Sequence, residues 1–98
     1  MDHWLQCNIS LGQFTGEYVV EAKDFRGKPF SLFVPSEYID CSDDPLANQT
    51  TTGWLRVEQL AEDGGLVLVR LPRTPLENGT TVTVAQGQIV RRAEKELA

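Results

Sequence analysis

Few side chains in this sequence could carry acid–base or nucleophilic chemistry, and they are widely spread. His3 is the only histidine, and the two cysteines, Cys7 and Cys41, are too far apart for a C-x-x-C motif. A general acid or base needs a partner that positions it, and the chain has neither a G-x-S-x-G motif nor a phosphate-binding glycine loop. We therefore predict that the protein is not an enzyme and needs no cofactor. Each cysteine is expected to be a small, partly buried side chain, because a disulfide would require an oxidising compartment.

The densest group of candidate metal ligands is acidic and comprises Asp40, Asp43 and Asp44. A Ca²⁺ ion takes about 6–8 oxygen ligands, whereas this stretch lacks the EF-hand spacing and is interrupted by Pro45. Proline, aspartate and threonine in close succession are turn and loop signals. The sequence therefore favours a solvated surface loop over residues 40–52 and predicts no metal site.

Length and charge indicate one small domain over residues 1–98. Of the 98 residues, 14 are acidic and 9 basic, which gives a net charge of −5. Nucleic acid is bound through clustered Lys and Arg, so this balance disfavours a nucleic-acid partner. No apolar run approaches the roughly 20 residues that a membrane helix needs, and the first residues do not read as a signal peptide. We expect a cytoplasmic protein without a membrane span.

Alternating apolar and polar residues predict the strands that must position any site. The predicted strands cover residues 4–11, 18–22, 30–34, 53–58, 66–71 and 81–84. Turns are predicted at Gly27, at Asp63-Gly64-Gly65 and at Asn78-Gly79, and residues 36–39 form either one helical turn or a short strand. The sequence predicts an all-β fold of five to six antiparallel strands closed into a small barrel. A short helical tail, frayed at its end, is predicted over residues 91–98.

The chain also contains a faint internal echo. Residues 16–21 resemble residues 53–58, and residues 34–39 resemble residues 84–89. Two related hairpin units that close on one another would make a small barrel. Chance is the alternative, since any two amphipathic hairpins look alike.

The segment over residues 33–40 reads FVPSEYID and contains Pro35-Ser36-x-Tyr38-Ile39. It resembles the Pro-Ser-Asn-Tyr-Val stretch that closes the ligand groove of SH3 domains. The resemblance implies that Pro35 and Tyr38 line a hydrophobic slot for proline-rich peptides. Together with the strand spacing, it predicts an SH3-like or OB-like barrel.

Three aromatic side chains, Trp4, Phe33 and Trp54, fall on the more polar face of their predicted strands. Gathered on one surface, they would form a patch of the kind that marks a partner site. Closure of the barrel over them, or a register shifted by one residue, would bury them instead. We predict a noncatalytic protein-interaction module or small accessory subunit of a larger complex. Its predicted partner-binding residues are Trp4, Phe33, Pro35, Tyr38 and Trp54.

Two other functions stay open at this point, and a homodimer is compatible with all of them. A barrel that binds single-stranded nucleic acid would stack bases on aromatic rings in a basic groove. Such a groove would have to be lined by Lys23, Arg26, Lys28, Arg56 and Arg70. A small enzyme would require a pocket that unites His3 with distant acids.

Overall fold

The computed structural model describes residues 2–12, 16–41, 49–73 and 79–92, which form one antiparallel sheet. Two 3₁₀ turns, η1 and η2, interrupt the chain between strands. In chain order the elements are β1 Asp2–Leu11, β2 Glu17–Lys23, β3 Pro29–Pro35, η1 Ser36–Tyr38, β4 Ile39–Cys41, β5 Thr50–Asp63, β6 Leu66–Arg70, β7 Thr81–Ala85, η2 Gln86–Gln88 and β8 Ile89–Arg92. No helix in the part of the chain that the structure describes is long and apolar enough to cross a membrane.

Six strands form the continuous path of the sheet, in the order β3-β2-β1-β5-β6-β7, while β4 adds to β5 and β8 adds to β1. The sheet curls into a small barrel-like fold, which confirms the predicted all-β class. The predicted turn after Asp63 is also confirmed, because Gly64 and Gly65 have φ of 59° and 86°. Glycine adopts such angles at no steric cost, as a tight hairpin requires.

The turn between β2 and β3 is organised by Asp24. One carboxylate oxygen of Asp24 accepts hydrogen bonds from the backbone N–H groups of Arg26 and Lys28, at 2.8 and 2.9 Å. These two bonds lower the pKa of the Asp24 carboxyl, the bond from Lys28 contributing most. Gly27 takes the left-handed conformation that the turn needs, with φ of 85°. The turn then docks on the second half of the chain, where the Phe25 N–H donates to the Thr83 carbonyl at 3.0 Å.

The core is centred on a row of aliphatic side chains that crosses four strands. Leu5 pairs with Leu55 on one side and with Ile89 on the other, and Leu55 also pairs with Ile39. Leu5 and Leu55 are completely buried. Alternate residues of the flanking strands complete the same cluster, including Ile9, Val20, Leu32, Val34, Val67, Val69 and Val84.

The two halves of the chain repeat the same order of elements around that row. The first half runs β1-β2-β3-η1-β4 and the second runs β5-β6-β7-η2-β8. Each half ends on a short strand that pairs with the first strand of the other half, β4 with β5 and β8 with β1. Structural counterparts such as Leu5 and Leu55, or Ile39 and Ile89, stand 50 positions apart. The halves are therefore related by an approximate two-fold axis through the Leu5–Leu55 pair.

This symmetry confirms one part of the internal echo and corrects the other. Residues 34–39 and 84–89 occupy equivalent places, each spanning the end of a strand, a 3₁₀ turn and the start of a short strand. The match between residues 16–21 and 53–58 is wrong, because β5 is the counterpart of β1 and β2 is the counterpart of β6. Similar alternation in every strand hid the correct alignment.

Several predicted boundaries shift in the structure. Asp40 and Cys41 belong to β4 and Thr50 begins β5, so the predicted loop over residues 40–52 is shorter at both ends, and residues 42–48 lie outside the described residues. Arg91 and Arg92 extend β8 by pairing with β1, rather than beginning a helical tail. The remainder of that predicted tail and the predicted turn residue Asn78 also lie outside the described residues.

Candidate functional site

The predicted aromatic surface is not assembled. Trp4 is completely buried, so the expectation that it is exposed is wrong. It points away from the main core, between its register partners Arg56 on β5 and Val90 on β8, and the Arg56 guanidinium lies over its ring at 5.6 Å. Trp54 is partly buried. Phe33 is 40% exposed but lies on the edge strand β3. Strand β2 lies between β3 and β1, the strand that carries Trp4.

The remaining two predicted partner-binding residues lie in different places. Pro35 is partly buried beside Phe33, and both residues line a shallow depression that Arg73 also borders. Tyr38, at the end of η1, packs its ring against the core and lines a larger groove whose lining does not include Phe33 or Pro35. Only Tyr38 of the five therefore reaches that larger groove.

We call this larger groove the Tyr38 groove. It has a volume of about 540 Å³, and its lining combines an apolar floor of Val57 and Leu71 with polar and aromatic walls. It lies where the outer edge of β5 changes partner, from β4 at Leu55 to β6 at Glu58. The wall residues are His3, Tyr38, Arg56, Glu58, Gln59, Arg70 and Pro72.

The charges in the Tyr38 groove are arranged across one strand pair. Glu58 on β5 and Arg70 on β6 are register partners, and Arg70 Nη1 donates to Glu58 Oε1 at 2.9 Å. Both side chains remain largely exposed, at 62% and 54%. The Nε2 atom of His3 is buried and makes no hydrogen bond within the described residues. The groove thus unites His3 with one acid, Glu58, whose carboxylate already holds Arg70.

A second groove, the Gln88 groove, is the two-fold counterpart of the first. It lies where the outer edge of β1 changes partner, from β8 at Leu5 to β2 at Asn8. Its volume is smaller, about 230 Å³. Gln88 spans it: its side-chain amide donates to the Lys23 carbonyl, and its amide oxygen accepts from the Ala85 N–H, both at 2.8 Å. The lining residues are Gln6, Cys7, Asn8, Glu21, Ala22, Lys23, Thr52 and Gln88.

The symmetry shows what distinguishes the two grooves. Tyr38 has Gln88 as its counterpart, and Arg56 has Gln6. The cross-strand pair Glu58–Arg70 is matched by Asn8–Glu21, so the first groove has an arginine where the second has a glutamate. The sequence predictions missed this contrast because the internal echo was aligned on the wrong strands. Aligning Trp4-Leu5 with Trp54-Leu55 would have revealed it.

The five cations proposed for a nucleic-acid groove do not line one surface. Arg56 and Arg70 line the Tyr38 groove, and Lys23 lines the Gln88 groove. Arg26 and Lys28 belong to the exposed turn that Asp24 organises.

The cysteines meet on either side of one glycine. Cys7 and Cys41 are the register partners of Gly53 on its two sides, and neither forms a disulfide. Burial, reinforced by the nearby Cys41 thiol, raises the pKa of Cys7 from its ordinary value of 9.0 to about 12. Cys7 is therefore a protonated core side chain at neutral pH, as predicted from its type. Within the described residues, no group of three or more potential ligands could hold a metal ion.

Comparisons of this chain with family models, with curated proteins and with solved structures find no significant match.

Proposed function

We propose that this protein is a noncatalytic interaction module that binds a short, extended segment of a partner protein in the Tyr38 groove. The observation that carries the proposal is the groove's mixed lining: an aromatic ring and an apolar floor, with a few convergent polar side chains around them. Binding sites have this composition because apolar contact supplies affinity and a few placed polar groups supply orientation. The volume of about 540 Å³ suits a few side chains rather than a folded surface.

The place of the groove in the sheet favours an extended occupant. The groove opens at the edge of β5, where one short strand ends and the next neighbouring strand begins. Extended peptides are bound at sheet edges through main-chain hydrogen bonds and pockets for alternate side chains. The resemblance to SH3 domains implies a ligand slot lined by Pro35 and Tyr38, and of these two residues Tyr38 lines this groove.

The contrast with the Gln88 groove supports the choice of site. In that groove the Gln88 side chain donates to the Lys23 carbonyl at 2.8 Å and so joins two of the lining residues. In the Tyr38 groove a phenol replaces that amide. The two grooves therefore differ in the side chain at this position, and the strand pair beside the Tyr38 groove also has a register shift between Gln59 and Ala61.

A peptide-display selection tests the proposal. Random peptides of about a dozen residues are selected on the full chain, and the enriched peptides are titrated while backbone amide resonances are followed by NMR. We expect the largest shifts at residues 56–59 and at Arg70 and Leu71, which line the groove. Shifts confined to other surfaces, or no enrichment at all, would overturn the proposal.

Matched variants at the two counterpart positions sharpen the test. Tyr38→Ala should weaken binding of the enriched peptides about tenfold, which corresponds to roughly 1.4 kcal/mol. Gln88→Ala alters the other groove and should leave the affinity within about twofold. Circular dichroism establishes that each variant is folded, and the resonance mapping on the unmodified protein decides the matter even if Tyr38→Ala does not fold.

A further inference from the structure

The Tyr38 groove differs from its counterpart most clearly in charge. Among the residues that the structure describes, Arg56 and Arg70 line it with Glu58 as the only acid, whereas the Gln88 groove carries Glu21 at the position equivalent to Arg70. Arg70 and Glu21 stand at equivalent register positions, so the difference in charge lies in the side chains. Positive charge at the lining of a groove selects anionic ligand groups.

The ion pair between Glu58 and Arg70 is exposed to solvent. The contact at 2.9 Å joins two side chains that are each more than half exposed. Exposed ion pairs add little to stability, since water and salt screen them and both side chains lose freedom. A carboxylate from outside the chain can therefore replace Glu58 on Arg70 at small cost.

Two neighbouring side chains would complete the recognition of such a carboxylate. Arg56 lines the same groove, and its guanidinium rests on the Trp4 ring, which restricts where the charge can lie. His3 also lines the groove, and its buried Nε2 makes no hydrogen bond within the described residues. Recognition of the carboxylate therefore rests on Arg70 and Arg56, with His3 beside them in the lining.

We infer that the partner segment is acidic and that one of its glutamate or aspartate side chains replaces Glu58 on Arg70. This inference rests on the proposed function, since it names the chemistry of the segment that occupies the Tyr38 groove. A guanidinium binds a carboxylate through two parallel hydrogen bonds, which a neutral amide cannot reproduce. Glu58 thus stands in the place that the carboxylate of the partner would take on Arg70.

Two capped pentapeptides test the inference, Ala-Leu-Glu-Leu-Ala and its analogue with glutamine at the centre. Each is titrated into the full chain while backbone amide resonances are followed. We expect the glutamate peptide to shift the amide resonances of residues 56–59, Arg70 and Leu71, and to bind at least about fivefold more tightly than the glutamine analogue. Glu58→Gln should tighten binding of the glutamate peptide about threefold, because it removes the competitor.

Variants at counterpart positions provide the controls. Arg70→Gln should abolish the preference for the glutamate peptide, whereas Glu21→Gln, in the Gln88 groove, should leave both affinities unchanged. Arg70, Glu58 and Glu21 are exposed, so these changes should leave the fold intact.

The outcomes separate the two proposals. Equal binding of both pentapeptides in the groove would overturn the acidic partner while supporting the peptide site. Failure of the pentapeptides and of the displayed library to shift the groove would overturn both. Inorganic phosphate and oligothymidylate are titrated in the same way. Tighter binding of either one in the groove than of the glutamate peptide would also overturn the inference, because the groove would then select phosphate.

Discussion

The two halves of this molecule share one order of strands but differ in the grooves that those strands form. Around the axis, Leu5 and Leu55 occupy equivalent, fully buried places. Each is flanked by an isoleucine from the exchanged strand, the short last strand of the other half, which is β8 for Leu5 and β4 for Leu55. Away from the axis the halves diverge: one groove is open and carries arginines, and the other is spanned by Gln88. The comparison teaches that the aliphatic row sets the frame, while side chains at the strand edges are free to acquire a binding role.

The largest expected effect concerns the two tryptophans, which are counterparts with different burial. Trp4→Ala should cost about 3–5 kcal/mol of the free energy of unfolding, because a fully buried ring leaves a cavity. Trp54→Ala should cost less than half as much, since Trp54 is only partly buried. Denaturant unfolding of both variants measures the difference, and Trp4→Phe provides a milder change if Trp4→Ala does not fold. Equal losses of unfolding free energy would contradict the difference in burial between the two tryptophans.

The next largest effect on stability is expected at Gly53, whose counterpart in the other half is His3. A Cβ atom at Gly53 would lie 2.5 Å from Ile9 Cδ1 and 2.8 Å from the Asp40 carbonyl oxygen. The backbone oxygen cannot move away as a flexible side chain could, so Gly53→Ala should destabilise the protein by about 1–3 kcal/mol.

Gly87→Ala is the matched control for this change. Nothing lies within 4 Å of a Cβ at Gly87, which belongs to the 3₁₀ turn η2. Its effect on the midpoint of thermal unfolding should be close to zero. A Gly53→Ala protein as stable as the Gly87→Ala protein would contradict the close packing described between β4 and β5.

The smallest expected effect is the response of Cys7 to alkaline pH. The pKa of Cys7 is raised to about 12 in the folded protein, against 9.0 for an ordinary thiol. Between these values the unfolded chain releases a proton that the folded chain retains. The contribution of the Cys7 thiol to the free energy of unfolding is therefore fully present below pH 9 and is lost as the pH rises. The loss at pH 10 should be on the order of 1 kcal/mol.

Cys7→Val isolates this effect, because Val57 is the counterpart of Cys7 and does not titrate. Urea unfolding at pH 8 and at pH 10 should show a smaller loss for Cys7→Val than for the unmodified chain. Identical losses would mean that the Cys7 thiol titrates alike in both states.

The sequence predicted the strands well because their alternation follows directly from burying one face of a sheet. It predicted the turn at Gly64 because few residues other than glycine suit the angles there. It did not predict the burial of Trp4, since alternation assigns a side chain to a face and cannot say what covers that face. The exchange of β4 and β8 was also missed, because strands of three and four residues carry little periodic signal.

The site was predicted only in part, for related reasons. Tyr38 was included among the partner-binding residues from the resemblance of its segment to SH3 domains, and it does line the groove. Arg56 and Arg70 were placed together only in the nucleic-acid alternative, and His3 and Glu58 were not grouped with them. The proximity of these residues depends on which strand lies beside β5 at each point along its edge. The SH3-like topology and the protein partner stay predictions.

The exchanged strands also govern how this protein can form and come apart. Asp2 pairs with Arg92, so β1 obtains its final neighbour through the most distant contact along the described chain. Ordering such a long intervening segment before any reward is gained slows folding. Because each half completes the other, we expect neither to melt by itself, and heat should unfold the molecule in a single cooperative step.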